Sequence, residues 1–264
     1  MSKELRIGAV GDNCMDVYEK EGKYYPGGNP VNVAVYTVRL GGTASYVGVT
    51  GTDKYGPLMI ESIKNKGVDV SHLRVAEGET AKSYVELVDN DRVFGDYVEG
   101  VMEDFRMTDE DIEFLGQFDM VVSAIFGRTS DEIHKLKEKG MTVAFDFADK
   151  REDDPRVMEA IDHVDYAFFS YDDDDVEDFI LKMWRPTMKV FIATQGEKGS
   201  VAYDGQKFYH YGIVKVDNVV DTMGAGDSYI AGFLFRIMRG GTIEESMAEG
   251  AACSAVTIQY SAAW

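Results

Sequence analysis

Cysteine is nearly absent. Cys14 and Cys253 are the two in 264 residues, far apart and without the spacing of a metal knuckle. This excludes a disulfide framework and leaves two small buried residues as the plain reading. Positive charge is also scarce: 27 lysines and arginines stand against 47 aspartates and glutamates, a net charge of −20. A surface this acidic repels nucleic acid and anionic membranes, so neither is expected as a partner. An anionic ligand would need a local cradle of backbone N–H groups or bound cations. No proline-rich or repetitive tract occurs, and no apolar run is long enough to span a bilayer. The N-terminal "MSKELRIGAVGD" moves from charges straight into a strand-like run, without a signal-peptide core, so a cytoplasmic protein is expected. Two nucleotide-binding fingerprints are missing as well. There is no G-x-x-x-x-G-K-[ST] stretch and no G-x-G-x-x-G after the first strand. Both absences argue against a P-loop kinase and a dinucleotide-binding enzyme.

What is present is a chain 45% hydrophobic and 12% aromatic, long enough to bury a large core in one domain, with a small appendage. Strand-like and helix-like segments alternate almost throughout. "RIGAVG" (6–11), "SYVGVTG" (45–51), "MVVSAIFG" (120–127), "MTVAFDFA" (141–148), "YAFFS" (166–170) and "KVFIATQG" (189–196) read as buried strands. Helical patterns fall at 29–41, 55–67, 129–139, 154–162 and 173–184, the first with Pro30 near its start and Gly41 at its end. Apolar strands separated by helices predict a mostly parallel sheet covered on both faces. Residues 13–28 and 80–100 break the rhythm. Both are rich in β-branched and aromatic residues, with turns at "KEGK" and "DNDR", and read as hairpins outside the parallel core. In an α/β domain such excursions either decorate an edge or form a lid beyond the carboxyl ends of the strands. The lid is favoured here because the two excursions flank the other candidate ligand positions.

The densest chemistry lies in "VVDTMGAGDSYIAGFLF", residues 219–235. "KVDNVVD" (215–221) is strand-like and "SYIAGFLFRIM" (228–238) is apolar on nearly every face, hence a deeply buried helix. Between them, Gly224 and Gly226 let the backbone approach a ligand closely. The free N–H groups of a first helical turn favour an anion, and Asp227 beside that positive end is expected to stay ionised. Phosphoryl transfer reconciles the carboxylate with the anion pocket: the amides hold phosphoryl oxygens while the aspartate takes the acceptor hydroxyl's proton. A capping aspartate beside turning glycines would fit a lone G-A-G-D equally well. The longer D-T-x-G-A-G-D string is far more specific. The acid run "YDDDDVED" (171–178) reads first as aspartates complementing a helix dipole, with a role toward hydrated Mg²⁺ left open.

The string Asp221–Asp227 and the stretch "PGGNPVNVAV" (26–35) resemble the two signatures of the ribokinase/PfkB carbohydrate-kinase family. That resemblance implies a Rossmann-like three-layer α/β/α domain with a small β-sheet lid, which passes the γ-phosphoryl of ATP to a sugar hydroxyl. It makes Asp227 the base and Gly224, Ala225 and Gly226 the anion hole. Asp12 matches the family's aspartate for sugar hydroxyls, with Gly27, Gly28, Asn29 and Asn32 in the sugar-contacting loop and helix start. Asp16 either joins them or is a lid-surface acid. Thr194, Gly196 and Gly199 of "ATQGEKGS" match the nucleotide segment, and Thr222 within the string is assigned to ATP. The family's N-x-x-E motif for Mg²⁺ is altered, because Ser170 replaces the Asn while Asp173 keeps an acid at the Glu position. Asp221, with the backbone around 252–258, matches a monovalent-cation (K⁺) site.

Further stretches, "VELVDNDRVFGDYVEGVMEDF" (85–105), "TVAFDFADK" (142–150) and "TIQYSAAW" (257–264), are similar to family members acting on glycated amino acids. Such a substrate carries a zwitterionic amino-acid head. Arg92 at the second hairpin tip could grip its carboxylate bidentately, although charged hairpin tips are common simply because they are wet. A kinase of a free sugar, fructokinase- or ribokinase-like, is the alternative within the family, and a non-catalytic sugar-binding module the alternative outside it. Val17, Tyr18, Tyr24 and Tyr25 on the first hairpin either cover a partner's lid in a homodimer or cover the substrate.

Overall fold

The computed structural model describes residues 5–88 and 91–264, with the side chains of residues 86–94 outside that description. In chain order the first half contains β1 (Arg6–Val10), β2 (Cys14–Tyr18), β3 (Lys23–Gly27), α1 (Asn29–Arg39), β4 (Thr43–Thr50) and α2 (Tyr55–Asn65). It continues with β5 (Asp69–Val75), β6 (Lys82–Val88), β7 (Asp91–Val98), α3 (Asp109–Leu115), β8 (Met120–Ala124) and α4 (Ile133–Glu138). The second half holds β9 (Val143–Asp146), α5 (Pro155–Ala160), β10 (Tyr166–Ser170), α6 (Val176–Met183) and β11 (Val190–Thr194). Last come β12 (Ser200–Tyr203), β13 (Phe208–Tyr211), α7 (Ala225–Met238) and α8 (Ile243–Thr257).

Nine strands form the main sheet in the order β13-β12-β11-β10-β9-β8-β1-β4-β5. From β11 to β5 every neighbour is parallel, and β12 and β13 add an antiparallel edge. The expected α/β architecture with apolar, doubly covered strands is therefore observed. Alternate residues of each strand feed opposite faces. Val10, Val121, Phe145, Phe169 and Phe191 meet α3 to α6, while Ile7, Val122, Ala144, Phe168 and Ile192 meet α1, α7 and α8. On the first face Phe147, Phe169 and Phe191 stack at 4.5 and 4.8 Å between ring centroids. Such ring pairs add about 0.5–1.5 kcal/mol each beyond their buried area. Connections leave β1 toward β4 on one side and β8 on the other, so the strand order reverses at β1/β8. A crevice for a ligand is expected beyond the carboxyl ends at such a reversal.

The two excursions form a separate four-stranded sheet, ordered β3-β2-β6-β7. β2 pairs antiparallel with β3 and parallel with β6, and β6 antiparallel with β7. Among the described residues no helix is long and apolar enough to cross a membrane.

Three expectations need correction. Residues 215–221 make no strand. The amides of Val220 and Asp221 donate not to a neighbouring strand but to Ile258 O at the end of α8. The helix predicted over 173–184 begins at Val176, so the four aspartates precede it and its first-turn acids are Glu177 and Asp178. Residues 129–132 stay outside α4, where the Glu132 carboxylate accepts the amide of Met107 at 3.0 Å. Elements β5, β12, β13, α3 and α8 were not anticipated. For α8 a signal was available: Thr242 and Glu245 form a reciprocal capping box in a T-x-x-E pattern.

Candidate active site

The candidate sugar residues are gathered where α1 abuts the end of β1. After β1 the chain turns through Gly11 to Asp12, and it returns from the first hairpin through Gly28. Gly28 sits at φ 114°, and a Cβ there would lie 2.6 Å from Asp12 O and 2.7 Å from the Asn13 Cα. No side chain fits such an approach. The contact delivers the first turn of α1 to the aspartate, so that Asn29 N donates to Asp12 Oδ2 at 3.1 Å. Asn29 and Asn32, three apart on one helix face, then reach across the site. Asn29 Nδ2 donates to Asp146 Oδ2 (2.9 Å) and to Asp227 Oδ1 (3.1 Å), and Asn32 Nδ2 donates to Asp227 Oδ2 (2.7 Å). Asp12, Asn29, Asn32 and Asp227 thus converge, although they are spread over 216 positions of sequence. Both asparagines spend donors on carboxylates, a role the sequence did not suggest.

Asp146 was missed as a site residue. It ends β9 and also accepts the amide of Ala148 at 2.8 Å. An acid closing the apolar run "VAFD" was the available signal, because a carboxylate at a buried strand end needs a polar destination.

The three carboxylates reinforce one another. Burial, then the charge of Asp146 and that of Asp12, push the Asp227 carboxyl up to about 8, against the opposing bonds from Asn32 and Asn29. Burial foremost raises Asp12 and Asp146 to about 6 each. The expectation that Asp227 stays ionised beside the helix end is therefore overturned. A helix terminus is worth about 0.3–1 kcal/mol, while desolvation with two neighbouring anions is worth several. Asp12 Oδ1 is buried without a hydrogen-bond partner among the described residues. A buried acceptor left in that state costs about 1–3 kcal/mol, which a ligand hydroxyl would recover.

At the start of α7, Gly224 takes a left-handed conformation (φ 73°). A Cβ on it would press within 3.0 Å of the Tyr36 hydroxyl and Ala263 Cβ. Ala225 N turns back to Thr222 O and Ser228 N bonds Gly224 O, while helix geometry leaves the amides of Gly226 and Asp227 without intrahelical acceptors. Gly226 is exposed and faces open space, as an anion cradle requires. Thr222 is exposed beside it. Asp221 is buried, its oxygens accepting the amides of Met223 (2.9 Å) and Ala262 (2.7 Å).

The nucleotide candidates lie farther along the sheet. Thr194 ends β11 with its hydroxyl on Phe169 O (3.3 Å), and Gly196 follows at φ 53°. Gly199 runs against Tyr211 O and Gly212 Cα, which gives it a structural reason of its own. The next residue, Ser200, shares a hydrogen bond of 2.8 Å with the Tyr229 hydroxyl on α7, tying this segment to the helix that carries Asp227. Lys198 crosses to the acid run, meeting Asp172 O and Asp174 Oδ1 at 2.7 Å each. Asp173 is exposed, with its carbonyl accepting from Gln195. Among the described residues no three His, Cys, Asp or Glu side chains gather to hold a metal ion.

The small sheet reaches the Asp12 end of this cluster. Burial raises the Tyr97 hydroxyl on β7, and so does the nearby carboxylate of Asp12. Asp16 on β2 is half-buried, its Oδ2 3.8 Å from a Cβ built on Gly27, as is Asn32 Oδ1. Arg92 lies in β7 opposite Leu87, but its side chain is outside the described set. Val17 and Tyr18 are buried within the chain and Tyr25 half-buried, leaving Tyr24 exposed among the four aromatic and apolar hairpin candidates. Cys14 and Cys253 are free thiols and half-buried.

Comparison with known proteins fits this geometry. The family model for pfkB family carbohydrate kinases matches residues 6–263, and the chain belongs to that family. It is 45% identical over 261 residues to the fructoselysine 6-kinase of Shigella flexneri, covering 98% of this chain and 99% of that one. A fructosamine kinase of Bacillus subtilis is 33% identical over 237 residues, covering 87% of this chain and 82% of the relative. Among solved structures, Arabidopsis thaliana ribokinase complexed with ribose and ATP aligns at a TM-score of 0.83 with 20% identity, over 100% of this chain and 95% of that one. Fructokinase from Vibrio cholerae, bound to fructose, ADP and calcium, aligns at 0.80 with 22% identity over 98% and 94%. These two support the ribokinase-like fold.

Proposed function

We propose that this protein transfers a phosphoryl group from ATP to the 6-hydroxyl of fructoselysine or a closely related fructosyl-amino acid. One observation carries the chemistry: the Asp227 carboxyl sits one residue beyond exposed Gly226, gripped by two asparagine amides, where free helix amides and a proton acceptor meet. The near full-length identity of 45% to a fructoselysine 6-kinase supports the choice of substrate.

In this reading the sugar lies over Asp12, Asp16, Gly27 and Gly28, with Asp12 Oδ1 accepting one of its hydroxyls. Asp227 takes the proton of the attacking hydroxyl, and the amides at Gly224 to Gly226 bear the charge of the transferring group. The nucleotide runs along Thr194, Gly196, Gly199 and Thr222. Its base is placed on the apolar surface left exposed at Val219, Val220 and Val256, which meets near Ile258. A divalent cation accompanies the phosphates. Since the described residues form no acidic cage for it, phosphate oxygens and water supply most of its shell, and Asp173 is the side chain assigned to the hydrated ion. A monovalent cation is assigned to Asp221 and the backbone around 252–258. The small sheet, residues 13–28 and 80–100, acts as the lid that excludes water from the transfer.

The deciding experiment is an ADP-release screen across fructosyl-amino acids and free ketoses, with the phosphorylated carbon mapped by NMR. Faster turnover of fructose than of fructoselysine would favour the fructokinase reading, and no ADP release with any of them would leave only a binding module. Arg92→Ala is expected to lower kcat/KM on fructoselysine more than on fructose. Equal losses on both would remove Arg92 from recognition of the amino-acid head.

A further inference from the structure

The Asn32 amide has two faces, and each is used. Its Nδ2 donates to Asp227 Oδ2 at 2.7 Å, and its Oδ1 accepts the indole Nε1 of Trp264 at 2.6 Å. An asparagine amide is nearly symmetric in shape, so its orientation is set by what surrounds it. With Asp227 ionised, Nδ2 belongs on the carboxylate. With Asp227 protonated, the carboxyl becomes a donor and a rotated amide, Oδ1 toward the acid, would hold the proton in place. The indole N–H is a donor only, and rotation would set Nδ2 against it, donor to donor.

We propose that Trp264 is a positioning residue for the transfer reaction: its indole N–H locks the Asn32 amide in the one orientation that serves Asp227 as a base. The chain around it is anchored for this purpose. Ala262 N donates to Asp221 Oδ2 at 2.7 Å, the Tyr36 hydroxyl donates to Ala263 O, and Ala262 is held at φ 68°, a left-handed conformation. The indole packs against the apolar cluster that includes Val31, Val35 and Met59, with Lys66 Nζ 5.5 Å from its ring centroid. The same Asp221 and Gly224 that flank the anion cradle thus touch the segment that orients the base. Charged and titratable groups around Asp227 are Asp12 just after β1, Asp146 from β9 and Tyr36 from α1, with Lys66 over the indole ring. Trp264 acts on Asp227 through Asn32 alone.

This inference rests on the kinase reading for its catalytic consequence, but its geometric part is measurable without substrate. In Trp264→Phe, and in protein carrying 3-benzothienylalanine at that position as a shape-matched ring without the donor, the ¹³C-labelled Asp227 carboxyl is expected to titrate about one pH unit higher than in the wild type. The signal is assigned by its loss in Asp227→Asn. The acid limb of kcat/KM should move by the same amount, giving a several-fold loss at pH 7 that closes at high pH. In an Asn32→Ala background the Trp264 change should add nothing to either readout. An unchanged Asp227 titration overturns the proposal. So does a rate loss equal at every pH, or a Trp264 effect that persists without Asn32. If the wild type shows no transfer to any sugar while the titration still shifts, the positioning stands and the kinase reading falls.

Discussion

The two halves of the site are made of different materials. In the half proposed for the sugar, Asp12, Asp146 and Asp227 are drawn together by two asparagines of α1, and five of their six carboxylate oxygens are hydrogen-bonded. On the nucleotide side the candidates are a hydroxyl, bare backbone at Gly196 and an exposed acid run tethered by Lys198. The first half is set before any ligand arrives and carries stored electrostatic cost. The second is open and inexpensive to form. Preorganised charge is worth most where bonds change, whereas a common nucleotide needs shape, amides and an apolar shelf.

Asp227→Asn tests this contrast with the largest effect. It is expected to lower kcat by roughly 10²–10⁴ while nucleotide affinity measured by calorimetry stays near that of the wild type. The same variant should be more stable than the wild type at alkaline pH. Because the Asp227 carboxyl is raised to about 8 in the fold, the unfolded chain releases its proton first as pH climbs. Native stability therefore falls between the ordinary carboxylate range and about pH 8. Asparagine has no proton to lose, so a melting temperature ~5 °C or more above wild type at pH 9 is expected from calorimetry. Matching melting curves there would remove the stored cost from the comparison.

Asp146→Asn comes next. With one anion removed beside Asp227, the acid limb of kcat/KM should move down by about one pH unit, while the KM for ATP holds. A limb that stays in place would mean burial alone sets the base. The smallest effect falls on the open half. Thr194→Val should raise the KM for ATP about 3–10-fold, the worth of one hydrogen bond, without altering the acid limb. A shifted limb would show that the halves are not separable.

Legibility in the sequence follows the same division. The parallel sheet, the four-stranded excursion and most helices were readable because their signals are local: apolar runs, turn residues and Pro30 at a helix start. Asp12, Gly28 and Asp227, picked out through the two signatures, are brought together by the fold. Asp146 and Trp264 were not picked out, since each is tied to this cluster by an amide of α1 more than 100 positions away. The ionised Asp227 was misjudged because a helix end is visible in sequence, whereas two buried anions brought in from other strands are not. Residues 215–221 misled through their three valines, β-branched residues common in strands, whereas the amides of Val220 and Asp221 are taken by Ile258 O.

The amide of Asn29 is shared between two acids, and that sharing has a consequence for kinetics. Asp146 and Asp227 hang from one Nδ2, so a proton leaving either redistributes the grip on the other. Inflections in a pH–rate curve are therefore properties of the linked group. Single substitutions will read as if their effects belonged to distant partners, and double-mutant cycles are the measure suited to this enzyme.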